Sequence, residues 1–205
     1  VMKPVKLVAL DGKYCSYLFN GELYHSIDVN LSPFDLEGNE CIENPIHTTI
    51  NIAFLKLPGV RSWRDLENKA YEFTDFAYED YEIPMPDASV YLSYYHSPVC
   101  ISKMEFGERT DRYIRMSMNC EVDFENGEHG IQAYELSCLL EIRDFYIDYS
   151  ILIPTKENLK ESKNIAKQFI TLDDYKEPEI IRNFLFNVND QDVFEEKISF
   201  PSKIE

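Results

Sequence analysis

The sequence predicts an α+β protein, mainly antiparallel β, in which two consecutive β-meanders carry two or three short helices packed on the sheet. Fourteen Tyr and 13 Phe stand against one Trp, and Tyr and Phe are enriched in strands. Short runs of alternating apolar and polar residues are separated by turn dipeptides, which is typical of antiparallel strands. Two segments, in contrast, have apolar residues at helical spacing.

The first meander is predicted from the runs at residues 5–10, 13–19 and 22–31. Asp11-Gly12 and Asn20-Gly21 separate these runs. Both dipeptides suit two-residue hairpin turns, because the central positions of such turns need positive φ. A fourth strand is predicted over residues 47–57, where Pro58-Gly59 ends it.

A short helix is predicted next. Ser62 and Asp65 have the spacing of a capping box, and Trp63, Leu66 and Ala70 lie at helical spacing up to about Phe73.

The second meander is predicted from five runs, at residues 89–96, 99–106, 112–124, 131–142 and 145–153. Thr155 is expected to cap a helix that reaches about Ile170. Residues 178–186 fit either a short helix or a strand, and periodicity does not decide between them. The polar, acidic tail from Asn187 is expected to pack loosely.

We interpret residues 1–205 as a single globular domain, because this length allows a sizeable core. Within it we distinguish the N-terminal meander (2–60), a helix with an acidic-aromatic loop (61–87), the second meander (88–154) and a C-terminal helical segment with its tail (155–205).

The net charge of −17 is the strongest global signal. Residues 1–102 contain 15 acids and 7 bases, and residues 103–205 contain 22 acids and 13 bases, so the charge belongs to the whole body of the protein. A field of this sign repels nucleic acid and anionic membranes and speeds the encounter with a cationic partner. The composition therefore predicts a basic protein partner, with no nucleic acid and no membrane.

A cytoplasmic location is expected from two further features. The five cysteines (Cys15, Cys41, Cys100, Cys120 and Cys138) are odd in number and contain no C-x-x-C, which favours reduced, mostly buried thiols. No apolar run approaches the ~20 residues that a membrane-spanning helix needs.

Residues 71–87, which we name the acidic stretch, are the best candidate for a binding surface. The stretch contains six carboxylates and five aromatic rings, and no Lys or Arg occurs over residues 70–102. Carboxylates pair with Arg and Lys, while rings supply apolar anchors. The alternative is an acidic loop with some rings turned into the core. The predicted partner-binding residues are Glu72, Asp75, Tyr78, Glu79, Asp80, Tyr81, Glu82 and Asp87.

Catalytic signatures are absent from the sequence. It lacks phosphate-binding glycine loops, H-E-x-x-H and G-x-S-x-G, so no cofactor is expected. His96 and Cys100 lie close in sequence, but a catalytic pair is recognised by geometry. Glu121, Asp123, Glu125 and His129 are weak metal-ligand candidates, because alternating carboxylates share one face of a strand. A solvated strand face is the simpler explanation.

The chain resembles the immunity proteins of bacterial toxin systems at the level of class. The residues that carry the resemblance are 63–66, the acidic stretch from Glu72, residues 96–99 and residues 104–107. The resemblance implies a protein that binds a cognate toxin domain and blocks its active site or its substrate path. Many such toxins are basic nucleases, and their inhibitors present carboxylates to them.

Three hypotheses follow. The first is a non-enzymatic inhibitor of a basic toxin domain, such as a nuclease. The second is a metal-dependent enzyme or metal-binding protein that uses the acidic strand face. The third is a structural or oligomeric scaffold, for which a Lys-rich face of the second predicted helix is a candidate surface.

Overall fold

The computed structural model describes residues 4–36, 43–74, 83–92, 95–124, 129–148, 150–188 and 191–204, and all their side chains except those of 95, 184–188 and 191–194. Strands account for 59% of the structure and helical residues for 9%. The prediction of an α+β protein with two or three packed helices is therefore wrong. The protein is mostly β, and its described residues contain one α-helix beside short 3-10 helices.

Within the described residues, eleven strands and one α-helix follow one another along the chain. They are β1 (Ala9–Phe19), β2 (Glu22–Leu31), β3 (Thr49–Leu55), β4 (Ala70–Thr74), β5 (Ile83–Pro84), β6 (Asp87–Leu92), β7 (Tyr95–Thr110), β8 (Tyr113–Asp123), β9 (Ile131–Ile147), α1 (Leu159–Ala166), β10 (Glu179–Val188) and β11 (Gln191–Phe200).

Seven of these strands close into a barrel in the order β1, β2, β3, β6, β7, β8 and β9, and β9 returns to β1. Every neighbouring pair is antiparallel except β9 with β1, which is parallel. The exception is geometrically required, because an odd number of alternating strands brings two strands of the same direction together. The two predicted meanders are thus one continuous wall.

The start of β1 differs from the prediction. Asp11-Gly12 is not a hairpin turn but lies inside β1, just after an irregularity in the pairing of β1 with β2. A Cβ atom at Gly12 would lie 2.4 Å from the carbonyl oxygen of Asp28 and 2.6 Å from Cδ2 of Leu140. Gly12 is therefore needed for close approach between strands. The predicted turn at Asn20-Gly21 is confirmed, since both residues have positive φ.

The capping box is confirmed, but the helix that follows it is short. The Ser62 hydroxyl accepts from the N–H of Arg64, and the Asp65 carboxylate accepts from the N–H of Ser62. This 3-10 helix ends at Leu66. The chain then enters β4 at Ala70, so the acidic stretch begins on a strand.

The second predicted meander contains fewer and longer strands. The predicted runs 131–142 and 145–153 leave a break at Arg143-Asp144, which is instead a bulge within β9: Tyr14 of β1 lies opposite Ile142, and Ser16 lies opposite Phe145. The bulge directs the Asp144 carboxylate toward β11, where it accepts a hydrogen bond of 3.0 Å from the Ser199 hydroxyl.

The C-terminal region is more ordered in its pairing than predicted. In the segment 178–186, for which helix and strand were both open, residues 179–186 belong to β10. The tail that was expected to pack loosely forms β11, with Ile198, Ser199 and Phe200 buried. These three residues pair with β9, and the remainder of β11 pairs with β10 alone. We call β10 and β11 the C-terminal hairpin.

The core fills the barrel and one of its ends. Inward side chains from all seven strands are buried, among them Ile27, Val29, Ile50, Ile52, Val90, Leu92, Ile101, Met104, Ile114, Met116, Met118, Val122, Leu140 and Ile142. Trp63 is also buried, and its indole N–H donates to the carbonyl of Asp174 at 3.4 Å. The guanidinium carbons of Arg64 and Arg109 lie 4.2 and 4.7 Å from the Trp63 ring. Within the described residues, no helix is both long and apolar enough to cross a membrane.

Candidate partner-binding surface

The predicted binding residues fall into two groups. Glu72 on β4 and Asp87 on β6 are described, and both are exposed. The other six, Asp75, Tyr78, Glu79, Asp80, Tyr81 and Glu82, lie outside the described residues.

The two ends of the acidic stretch are positioned by the same strand. Both β4 and β6 pair with β7, β6 along its first half and β4 further on at Lys103–Glu105. Between them, β5 returns beside β4, with Ile83 opposite Phe73. β4 ends at Thr74 and β5 begins at Ile83, so the described residues on either side of 75–82 lie at neighbouring positions of the sheet.

Two of the five rings in the stretch are core residues. Tyr71 and Phe73 are buried, and the Tyr71 ring packs edge-on against Phe106 with centroids 6.2 Å apart. For these two rings, the alternative in which rings turn into the core is correct. Burial also raises the pKa of the Tyr71 phenol.

Four exposed glutamates lie on the outer surface of β4, β7, β8 and β9: Glu72, Glu105, Glu121 and Glu135. We call this surface the acidic face. Glu72 lies opposite Lys103, which lies opposite Asn119, which in turn lies opposite Glu135. The side chains between the glutamates are short (Ala70, Ser117, Ala133 and Ser137), so the face is flat and open.

Two bases, Lys103 and Arg115, share this face. The Nζ atom of Lys103 lies 2.7 Å from the Glu105 carboxylate. This hydrogen bond, with the added negative charge of Glu105 and Glu72, raises the pKa of Lys103. The pair is exposed, so we expect it to contribute little to stability. It leaves Glu72, Glu121 and Glu135 as carboxylates that a cationic partner can approach.

An aromatic cluster lies at the other end of the stretch, next to Asp87. Asp87 pairs with Ala53, and the following residue, Phe54, has a φ of 51° and is 43% exposed. Such a backbone conformation is unfavourable for a bulky residue. The N–H of Phe54 donates to the Tyr17 hydroxyl at 3.0 Å. The ring of Phe54 packs against Tyr17, Phe19 and Tyr24 with centroids 5.4–6.2 Å apart.

Sequence reasoning missed this cluster, because its members come from three strands. Tyr17 and Phe19 are on β1, Tyr24 is on β2 and Phe54 is on β3. The pairing of β2 with β3 shifts between Ile27 and His25, opposite Ile52 and Leu55. Alternation along the strand predicts Phe54 on the same face as Ile50 and Ile52, but this irregularity turns Phe54 outward, so that prediction is wrong.

The weak metal-ligand set is not assembled by the described residues. Glu121 is exposed on β8 and Asp123 is half-buried on the same strand, whereas His129 is buried beside the ring of Phe124. Glu125 lies outside the described residues. No group of three or more His, Cys, Asp or Glu among the described residues is arranged to hold a metal ion.

His96 and Cys100 are both on β7, four residues apart along an extended strand, so about 13 Å separates their Cα atoms. The His96 ring instead contacts the ring of Tyr91 at 3.9 Å, and its Nδ1 atom lies 3.2 Å from the Ser89 hydroxyl. The four described cysteines form no disulfide with one another. Burial raises the pKa of Cys15 and Cys138 to about 11 and that of Cys120 to about 12, which makes these three thiols poor nucleophiles.

A buried polar cluster lies at the β1–β2 side of the barrel. The Nδ1 atom of His25 is 2.7 Å from the Tyr14 hydroxyl and 3.1 Å from the Ser16 hydroxyl. Burial lowers the pKa of His25 to about 3, so the ring is neutral at pH 7. The strand alternation of Leu23, His25, Ile27 and Val29 already places this histidine on the apolar face. The cluster is closed to solvent, and we interpret it as structural.

A shallow polar groove crosses the outer surface of β1, β2 and β3. The Asn30 amide donates to Asp11 at 2.6 Å, and the Asn51 amide donates to Asp28 at 2.8 Å. These amides and carboxylates satisfy one another across the strands. The groove therefore has the properties of a solvated sheet face.

No protein-family model matches the chain, and neither a curated protein nor a solved structure is detectably similar to it.

Proposed function

We propose that this chain is a non-enzymatic binding protein that inhibits a basic protein domain, in the manner of a cytoplasmic immunity protein that neutralises a bacterial toxin such as a nuclease. The observation that carries the proposal is the position of the two ends of the acidic stretch. Glu72 belongs to the acidic face, and Asp87 lies next to the exposed aromatic cluster.

The two surfaces contribute differently to binding. Carboxylates attract a cationic partner over a distance and raise the association rate, whereas apolar anchors mainly set the dissociation rate. An inhibitor of a lethal enzyme needs fast capture and slow release. The acidic face and the aromatic cluster supply one property each, and residues 75–82 lie between Glu72 and Asp87 in the sequence.

The net charge supports the same partner class. A protein with a net charge of −17 repels nucleic acid and is attracted to the basic surface of a nuclease. There it would occupy the place of the phosphates of the nuclease's substrate.

The test is association with the protein encoded beside this gene, measured by stopped-flow fluorescence, with protection in co-expression as the functional readout. Reversal of Glu79, Asp80 and Glu82 to Lys should slow association about tenfold at low salt and flatten its salt dependence. The matched control reverses three exposed acids outside the acidic stretch, Glu157, Glu161 and Asp173, and should slow association much less. Equal slowing by both variants would place the effect in net charge alone, and the absence of a complex would refute the proposal.

The aromatic cluster is tested by Phe54→Gly in the same assay. Glycine adopts positive φ without strain, so the fold should tolerate the change while the exposed ring is lost. We expect dissociation about tenfold faster with little change in association. An unchanged dissociation rate would remove the cluster from the interface.

A further inference from the structure

The C-terminal hairpin ends the sheet with an open edge. β10 is the last strand in the sheet order, and β11 is its only strand neighbour among the described residues. No other described element packs extensively against it. The second edge of β10 therefore presents backbone N–H and C=O groups that can pair with a further strand.

This edge lacks the usual protection against strand pairing. β10 has 10 residues, of which six are apolar, and its sequence contains no Pro, Gly or Lys. The other end of the sheet differs: β5 has only 2 residues, one of them Pro84. A short strand with proline is a common device that prevents edge-to-edge pairing. Of the two strands that end the described sheet, only β10 has an edge long enough to accept a whole strand.

The charge of β10 identifies its partner. In a chain with a net charge of −17, β10 carries one acid, Glu179, and one base, Arg182. The Arg182 guanidinium lies 4.0 Å from Glu196 on β11. A cationic partner gains little at such a strand, whereas an uncharged apolar strand matches it. A second copy of the chain supplies such a strand, its own β10, at the same concentration as the first.

The geometry also relieves the repulsion between two acidic bodies. In antiparallel pairing about a two-fold axis, the root of each hairpin lies beside the tip of the other. Ten residues at ~3.3 Å each separate the two roots by about 33 Å. The Debye length at physiological ionic strength is ~8 Å, so the two barrels are largely screened from each other.

We propose that two copies of this chain associate through antiparallel pairing of β10 with β10, about a two-fold axis near Asn183 and Phe184. The interface is isologous, so it closes at a dimer and does not propagate. The dimer carries two copies of the acidic face. It stands independently of the proposed inhibitor function, which requires only a monomer.

The first test is sedimentation equilibrium over a range of protein concentrations. The chain has a mass of 24.1 kDa, and the wild type should approach twice that value. Ile181→Lys places a charge on β10 and should weaken the dimer at least tenfold. The matched control is Ile153→Lys, because Ile153 is 65% exposed and lies outside the hairpin; it should leave the dimer unchanged. A wild type that stays monomeric at millimolar concentration, or equal weakening by both variants, would overturn the proposal.

The second test locates the axis by cross-linking. Asn183→Cys, in a background with Cys41→Ser and Cys100→Ser, places two thiols across the proposed axis, within the Cα separation that a disulfide tolerates. Mild oxidation should give a covalent dimer, whereas Ser137→Cys on the acidic face should not. Circular dichroism establishes that each variant is folded. Cross-linking through Ser137→Cys but not through Asn183→Cys would move the interface away from β10.

Discussion

The barrel and the C-terminal hairpin are both built from long antiparallel strands, but they use those strands differently. Each barrel strand has a neighbour on both sides and an inward face that is buried. In the hairpin, β10 has one strand neighbour, and β11 reaches the barrel only through Ile198, Ser199 and Phe200. Strand pairing is complete in one region and incomplete in the other.

The difference separates stability from association. In the barrel wall, each strand makes hydrogen bonds with a neighbour on both sides and buries its inward face. The paired edges of these strands are therefore not available to a partner strand. The hairpin contributes less to the core and retains an edge that can pair with a partner. Substitutions in the wall should therefore lower the free energy of unfolding most, and substitutions in the hairpin should lower it least.

Gly12→Ala should have the largest effect. A methyl group at this position meets the Asp28 carbonyl oxygen at 2.4 Å and cannot move away without shifting β2 or Leu140. We expect a loss of about 3 kcal/mol in the free energy of unfolding, measured by urea denaturation. Gly107→Ala is the control, since its nearest neighbour, Cβ of Arg115, lies at an ordinary 3.5 Å. A small effect at Gly12 would mean that the wall is more compliant than its close strand approach indicates.

The pH dependence of stability should show an effect of intermediate size at His25. The unfolded histidine titrates near pH 6.5, whereas burial lowers the folded pKa to about 3. Between these values only the unfolded state takes up the proton, so stability falls as the pH falls from 6.5 toward 3. At pH 5 the loss amounts to about 2 kcal/mol.

The variants His25→Gln and His96→Gln isolate that contribution. Thermal melts at pH 7 and pH 5 should give a flatter pH profile for His25→Gln, although its stability at pH 7 is lower because the buried contacts with Tyr14 and Ser16 are lost. His96 is exposed, so His96→Gln should keep the wild-type slope. Identical slopes in all three proteins would show that His25 does not carry the effect.

Lys197→Ala should have the smallest effect, because it acts at the junction of hairpin and barrel. The Lys197 ammonium lies 4.4 Å from the centre of the Tyr146 ring and 3.6 Å from the Glu195 carboxylate. Partly exposed contacts of this kind contribute about 0.5–1 kcal/mol. Calorimetry at a protein concentration at which the wild type is monomeric by sedimentation measures this without interference from association. A loss as large as that of Gly12→Ala would make the hairpin an integral part of the barrel.

Local sequence patterns predicted local structure well where alternating residues and a turn dipeptide occurred together. The bounds of β2 match the predicted run at residues 22–31, and Asn20-Gly21 forms the expected turn. The same turn chemistry misled at Asp11-Gly12, where glycine serves close packing between strands. Dipeptide patterns do not distinguish a turn from a close approach between neighbouring strands, because both favour a residue without a side chain.

Barrel closure and the candidate binding surface depend on how strands pair across the sheet, which local sequence patterns do not specify. The pairing of β9 with β1 and the row of Glu72, Lys103, Asn119 and Glu135 arise from register across the sheet. Within the acidic stretch, alternation along β4 places Tyr71 and Phe73 inside and Glu72 outside. If the segment had been interpreted as a strand, the positions of all three side chains would have been predicted correctly. The capping box favoured a helix there instead.

The parallel contact between β1 and β9 also constrains the order of folding. Asp11 lies opposite Leu139, and Leu18 lies opposite Ile147, so the barrel has a high contact order and should fold on the millisecond-to-second scale. During synthesis, β1 cannot pair with β9 until β9 has left the ribosome, so the barrel cannot close before then. Throughout that interval the inward faces of the early strands are uncovered, and this nascent chain is the stage at which the protein is most exposed to aggregation.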